Sequence, residues 1–231
     1  MISNNAGNFL VKKLLFQPPE DYIDDNTIIK SGDNCWIHIK SRVQTDNIII
    51  FLHGNASDIS MNKDMGMLLA NVGDVYMPEY TGYGSMRKHF PRRGSDGIMD
   101  NLRSFFDDVI RQRKNVCIVG QSLGSYYATR LAAEGYCSNL CLISAFYSIE
   151  KIANTDYAEL LSYNTGEYIK NVTVNTLLLH GDKDTLVPYQ HSQDLYDKCK
   201  SSKKRLKILE GCGHSFINFP IILDEITLLL K

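Results

Sequence analysis

The chain has 231 residues, 25 of them basic and 26 acidic, for a net charge of −1. So even a balance lacks the clustered basic excess of a nucleic-acid footprint, and the length suits one domain that buries a core without metal or disulfide staples. The longest run of aliphatic and aromatic residues is 48–52, far short of the roughly 18 that a membrane span requires.

Taken in chain order, the first residues show no basic stretch leading into an apolar core, and Ile2 stands where N-myristoylation needs glycine. A secretory leader and a lipid anchor are therefore not expected. The stretch Phe9-Leu10-Val11-Lys12-Lys13-Leu14-Leu15-Phe16 has the pattern of a basic amphipathic segment. Packing on the sheet is its preferred reading, with peripheral contact at a bilayer as the alternative. Residues 46–52 are β-branched, continuous and end near Gly54, which predicts a strand buried on both faces. Residues 74–77, 116–119, 139–144 and 174–179 read the same way, and 206–209 is a shorter version. Amphipathic patterns between them predict helices over 60–72, 95–111, 123–133, 189–198 and 216–230, with Ser95 able to cap the second.

Strand–helix alternation repeated this often implies a parallel sheet covered on both faces. No linker, repeat or low-complexity tract interrupts it. The expectation is one α/β domain over 1–231, a mostly parallel sheet flanked by helices, with a small cap at 146–171. The six cysteines are scattered without a C-x-x-C pair, and Cys117 and Cys141 fall inside strand runs. That usage fits reduced thiols and a cytoplasmic protein.

Four short segments carry chemistry. Gly120-Gln121-Ser122-Leu123-Gly124 lies between a predicted strand and a predicted helix, as a G-x-S-x-G nucleophile elbow requires. The turn is so sharp that a Cβ at either glycine would clash, and it lifts the Ser122 hydroxyl to the positive end of a helix. His53-Gly54-Asn55-Ala56-Ser57 closes the 46–52 strand. The loop there can supply one backbone N–H of an oxyanion hole, so the amides of Asn55 and Leu123 are the expected donors. His53 itself reads as a structural residue aimed at the loop backbone.

His180-Gly181-Asp182-Lys183-Asp184 ends the 174–179 strand, and Gly211-Cys212-Gly213-His214 follows the last one. Asp184 is the expected acid and His214 the expected base. Asp182, at the first turn, is expected to bond its own backbone. Cys212 is too local to His214 for a Cys–His dyad, and His38, His89 and His191 show no metal-ligand spacing. Gly82-Tyr83-Gly84 lacks the Lys-Ser/Thr of a P-loop, so nucleotide binding is not expected.

The order Ser122, Asp184, His214 is that of α/β-hydrolases, and the chain resembles the α/β-hydrolase-fold serine hydrolases from about Lys13 onward. Within them it is similar to the small intracellular hydrolases related to the α/β-hydrolase-domain protein depalmitoylases. Lys13-Leu14-Leu15-Phe16-Gln17-Pro18-Pro19-Glu20, Phe51-Leu52-His53-Gly54-Asn55-Ala56, Pro78-Glu79-Tyr80-Thr81-Gly82-Tyr83-Gly84 and the elbow through Ser125 carry that finer likeness. The depalmitoylases' N-terminal cysteine cluster has no counterpart, since no cysteine precedes Cys35. The resemblance places the acid at the last position of H-G-x-x-D, which is Asp184.

These features imply a monomeric serine hydrolase that cleaves carboxylic esters or thioesters of acyl chains, small-molecule or protein-linked, with no cofactor and no metal. A peptidase or amidase on the same fold is the alternative enzyme, and an inactive hydrolase-fold binding module is the rival from another class. The cap residues Phe146, Tyr147, Ile149, Ile152, Tyr157, Leu160, Leu161 and Tyr163 are the expected lining of an acyl slot.

Overall fold

The computed structural model describes residues 26–88, 95–111, 113–153, 162–215 and 219–231. The 9–16 stretch, the Lys13 to Glu20 segment, His89 and the cap residues Tyr157, Leu160 and Leu161 lie outside the described residues. The strands are β1 (Ile28–Ser31), β2 (Asn34–Ile39), β3 (Ile48–Leu52), β4 (Asp74–Pro78), β5 (Val116–Gln121), β6 (Asn139–Ile143), β7 (Asn175–Gly181) and β8 (Lys204–Leu209). They form one eight-stranded sheet in the order β1-β2-β4-β3-β5-β6-β7-β8. β2 runs antiparallel to β1 and to β4, and every other pairing is parallel.

The helices are α1 (Lys63–Leu69), α2 (Ser95–Phe105), α3 (Leu123–Ala133), α4 (Ile149–Ala153), α5 (Thr165–Ile169), α6 (Gln190–Lys198) and α7 (Phe219–Leu229). Successive strand residues point to opposite faces, and the core divides accordingly. Ile48, Ile50, Leu52, Ile118, Leu140 and Leu178 pack with Ile98 and Leu102 of α2, Leu131 of α3 and Leu195 of α6. Ile49, Phe51, Val119, Cys141, Leu177 and Leu179 pack with Met65 and Leu69 of α1 and Ile222 and Ile226 of α7. Helices therefore cover both faces, which is why the central strands read as continuous apolar runs.

Departures from the predicted elements have local causes. The β1–β2 hairpin is absent from the sequence reading because β1 leaves most of its residues exposed and carries no apolar run. Gly32 turns the hairpin at φ 57°, a left-handed value that glycine adopts without a Cβ penalty. α1 starts later than expected. The Asn62 side chain bonds Ser57 Oγ and the Asp58 carbonyl, and Asp58 accepts the Met61 amide, so this stretch is spent on a turn. α2 continues as one turn of π-helix over Phe106–Ile110, where Asp108 accepts from Ser104 and Asn34.

β3 and β4 are parallel neighbours, so their C-terminal ends lie side by side. There His53 Nε2 meets Glu79 Oε1 at 2.9 Å, with both side chains 0% exposed. His53 Nδ1 faces the Gly54 carbonyl at 2.7 Å, an acceptor only, so that nitrogen carries a proton. Glu79 also accepts the backbone amides of Ile59 and Tyr80, and the Tyr80 hydroxyl donates to the His53 carbonyl. Every one of these buried groups has a partner. Glu79→Leu leaves the His53 ring nitrogen orphaned, and we expect a loss of about 3–5 kcal/mol in urea denaturation. A loss below about 1 kcal/mol would show that the pair does not brace this end of the sheet.

Candidate active site

Ser122 stands at the C-terminal end of β5, where the chain turns directly into α3. Its backbone is left-handed, at φ 50° and ψ −114°. A Cβ on Gly124 would strike the Leu52 carbonyl oxygen, and one on Gly120 would lie 2.6 Å from Ala128 Cβ. Only glycine permits this approach of α3 to β3 and β5. The Ser122 amide donates to the Ile143 carbonyl at 2.9 Å, and both the amide and the hydroxyl of Ser125 donate to the Ser122 carbonyl. A strained residue persists when its surroundings over-determine it, and here they do.

Asp184 follows β7 and His214 follows β8, both at the C-terminal edge of the sheet, where open α/β sheets place their ligands. His214 Nε2 lies 2.9 Å from Ser122 Oγ, and His214 Nδ1 lies 2.7 Å from Asp184 Oδ2. The other Asp184 oxygen accepts the amides of Leu186 and Val187 at 3.0 and 2.8 Å. Burial alone would raise the Asp184 carboxyl, but hydrogen bonds from His180, His214 and the Val187 amide hold it well below the usual carboxylate range. The carboxylate is thus ionised and aimed at the ring. The Asp184 side chain is 0% exposed and that of His214 is 15% exposed, so the imidazole is the wet end of the pair.

Asp182 makes no contact with His214. Its Oδ1 accepts the Gly211 amide at 2.7 Å, across 29 residues, rather than bonding its own backbone as the sequence suggested. The Lys183 amide donates to the Cys212 carbonyl, and the Ser144 hydroxyl donates to the His214 carbonyl at 3.2 Å. These contacts fix the main chain that carries His214. Cys212 Sγ turns to the Glu210 carbonyl, not to the histidine. Burial pushes the Cys117 and Cys141 thiols well up, so they are protonated core groups.

A cavity of about 530 Å³ opens over Ser122 and His214. Asn55 and Leu123 both line it. Leu123 is the first residue of α3, so its amide has no carbonyl a turn back within the helix. The Tyr83 hydroxyl donates to Asn55 Oδ1 at 2.8 Å, which holds that loop. Its lining is mixed: Met61, Met65, Phe146, Ile149, Ile152 and Leu186 are apolar, while Ser57, Asn62 and Asp64 are polar. Among the described cap residues, Tyr147 and Tyr163 do not line it. Tyr147 lies beneath the Lys151 ammonium, and Tyr163 packs against Tyr126 in the core. No group of three or more potential metal ligands occurs among the described residues. An acidic, neutral-base and hydroxyl series of this kind can activate the hydroxyl as a nucleophile toward an acyl carbon.

Three site residues escaped the sequence reading in their roles: Glu79, Ser144 and His180. The H-G dipeptide ahead of Asp184 was a signal for His180, and Glu79 lay in a segment already singled out. Nothing in the sequence marked Ser144.

A family model described as serine aminopeptidase, S33, matches residues 159–219. The uncharacterized protein YfhR of Escherichia coli (strain K12) is 30% identical over 194 residues, which is 76% of this chain and 67% of that protein. Alpha/beta hydrolase domain-containing protein 17C of Xenopus tropicalis is 25% identical over 184 residues, 73% of this chain. The chain spans 56% of that frog relative. Among solved structures, an esterase from Exiguobacterium antarcticum superposes with a TM-score of 0.69 at 16% identity, covering 90% of this chain and 100% of that one. Mouse alpha/beta hydrolase domain-containing protein 10 gives a TM-score of 0.67 at 16% identity, over 90% of this chain and 98% of its own. With the mostly parallel eight-stranded sheet, these likenesses establish that the chain belongs to the α/β-hydrolase family and is related to its alpha/beta hydrolase domain-containing proteins.

Proposed function

We propose that the protein is a serine hydrolase that cleaves carboxylic esters or thioesters of acyl chains through an acyl-enzyme intermediate. The observation that carries the reading is the continuous series from Asp184 through His214 to Ser122, at 2.7 and 2.9 Å, beneath a half-apolar cavity. His214 Nε2 takes the Ser122 proton as the hydroxyl attacks the carbonyl carbon. The amides of Asn55 and Leu123 receive the negative charge that develops on the carbonyl oxygen. Asp184 keeps the proton of His214 on Nδ1 and stabilises the imidazolium once it forms. The imidazolium then protonates the departing alcohol or thiol, and the same histidine activates the water that releases the acid. No step calls for a metal or organic cofactor.

The serine aminopeptidase description of the matching family model favours a second reading, an amidase or peptidase on the same residues. A matched pair of substrates, an acyl ester and the corresponding aminoacyl amide, separates the two by the ratio of kcat/KM. A third reading, an inactive binding module, predicts no labelling by a fluorophosphonate probe. A small-molecule or protein-linked acyl ester or thioester is the substrate class of this reading, and among the described residues no helix is long and apolar enough to cross a membrane.

Three outcomes test the proposal. Ser122→Ala should abolish fluorophosphonate labelling and reduce ester turnover at least about a thousandfold, which leaves only oxyanion and binding contributions. Loss of labelling in Ser125→Ala instead would move the nucleophile. Asp184→Asn should cost roughly a thousandfold in turnover with the fold intact, whereas Asp182→Asn keeps an acceptor for Gly211 and should cost less than about tenfold. Reversed magnitudes would reassign the acid. Finally, Phe146, Ile149, Ile152 and Leu186 offer an apolar wall, so kcat/KM should rise from acetyl to octanoyl p-nitrophenyl esters, by up to about 0.8 kcal/mol per methylene buried. A flat or falling series would mean that these residues only seal the cap onto the sheet.

A further inference from the structure

Asp184 receives a second imidazole. His180, the next-to-last residue of β7, places Nε2 at 3.1 Å from Asp184 Oδ2, the same oxygen that accepts from His214 Nδ1. We propose that His180 is a positioning residue for the reaction, holding the carboxylate in the plane of His214 and setting how basic that imidazole is. The inference rests on the proposed roles of Ser122, His214 and Asp184, and it extends the series inward by two residues, His180 and Ser192.

The protonation of His180 follows from its neighbours. Nε2 also lies 2.8 Å from the Val187 carbonyl, so both of its partners are acceptors and the nitrogen carries the proton. Nδ1 faces Ser192 Oγ at 2.6 Å. Ser192 is 0% exposed in the first turn of α6, and its hydroxyl is the partner of Nδ1. With His180 in place, Asp184 accepts four N–H donors, from His180, His214, Leu186 and Val187, and each oxygen holds two. A carboxylate saturated in this way cannot rotate without losing a bond to a charged group.

Packing does not call for a histidine here. His180 is 1% exposed on a strand whose register partner on β8 is Ile208 and whose same-face neighbour two residues earlier is the buried Leu178, so an apolar side chain would suit the position. Two polar ring atoms were instead buried and paired, one toward the acid and one toward α6. Their chemical effect is on Oδ2. The His180 donor draws electron density from the oxygen that supports the His214 imidazolium. Losing it leaves Oδ2 a stronger acceptor, which favours the protonated form of His214 and raises the pH at which that ring becomes a base. The other titratable groups nearby are His191 on α6, itself flanked by Lys151 of α4 and Asp194 of α6, and Asp182 and Lys183 on the same loop. None of them bonds to the Asp184 carboxylate.

The test compares His180→Leu with His180→Gln, whose amide nitrogen can reach the place of Nε2. For His180→Leu we expect kcat/KM on a p-nitrophenyl ester to fall by about ten- to a hundredfold, the loss of one charge-assisted hydrogen bond. Its acidic limb should move to higher pH by about half a unit or more. His180→Gln should return the limb to the wild-type position and recover most of the rate. A purely structural role predicts equal losses at all pH values with an unmoved limb, and that result overturns the proposal. Nitrogen-15 spectra of the histidines read the same coupling without turnover. His180 should carry its proton on Nε2, and the His214 resonances should shift in His180→Gln far less than in His180→Leu. A wild-type His180 in the Nδ1–H form overturns the proposal even if His180→Leu fails to fold. Absent fluorophosphonate labelling in the wild type would instead remove the hydrolase reading, while the spectra still decide whether His180 governs His214 through Asp184.

Discussion

The close approach of α3 to the ends of β3 and β5 is the constraint on which the site depends. No side chain larger than hydrogen fits between the first turn of α3 and the Leu52 carbonyl. That contact forces the chain to reverse within one residue, and Ser122 absorbs the reversal in a left-handed conformation. Such a backbone costs of order 1–3 kcal/mol and needs support from outside itself. The support is the sheet. β5 is central, paired to β3 on one side and β6 on the other, and the Ser122 amide bonds the end of β6. α3 behind it is buried along nearly its whole length. A flexible loop could not hold a hydroxyl within 2.9 Å of a histidine that comes from a different strand.

Around that point the strand ends carry buried polar groups, each with its partners. His53 and Glu79 join β3 to β4, and His180, Asp184 and Ser192 join β7 to α6. Unpaired, any of these would cost several kcal/mol by desolvation. Paired, they stiffen the loops without filling the cavity, which remains for substrate. The lining of that cavity comes from different parts of the chain: Phe146, Ile149 and Ile152 from the segment after β6, Leu186 from the loop after β7, and Ser57, Met61, Asn62, Asp64 and Met65 from the stretch after β3 that leads into α1.

The parallel strands were legible because burial on two faces demands uninterrupted apolar runs, and 48–52, 116–119 and 174–179 supply them. The elbow was legible because glycine is forced at two positions around one serine. β1 escaped because an edge strand with exposed residues carries no such pattern. The π-turn at Phe106–Ile110 escaped because its side chains keep helical periodicity on average. Among site residues, Ser122, His214 and Asp184 stood in motifs and the H-G dipeptide pointed to His180, whereas Ser144 makes a contact 70 residues away that spacing does not encode. Tyr147 and Tyr163 show the opposite error. Apolar surplus in a cap does not say which face a ring takes, and both turned away from the cavity.

The two aspartates on one loop explain how the imidazole is placed. Asp182 bonds the Gly211 amide, Lys183 N–H bonds the Cys212 carbonyl, and Ser144 bonds the carbonyl of His214 itself. Gly181 lies so close to Cys212 that a Cβ there would strike its carbonyl oxygen. The main chain of the β8 loop is thus clipped to the end of β7 on successive residues, and only the ring of His214 retains freedom. That remaining freedom is rotation about its side-chain bonds, and the 2.7 Å bond to Asp184 removes most of it. One carboxylate therefore fixes the backbone and the other fixes the ring. The two acids, two residues apart, thus act on different parts of one histidine: Asp182 holds the main chain together with the Lys183 and Ser144 contacts, whereas Asp184 and Ser122 hold the ring from its two nitrogens.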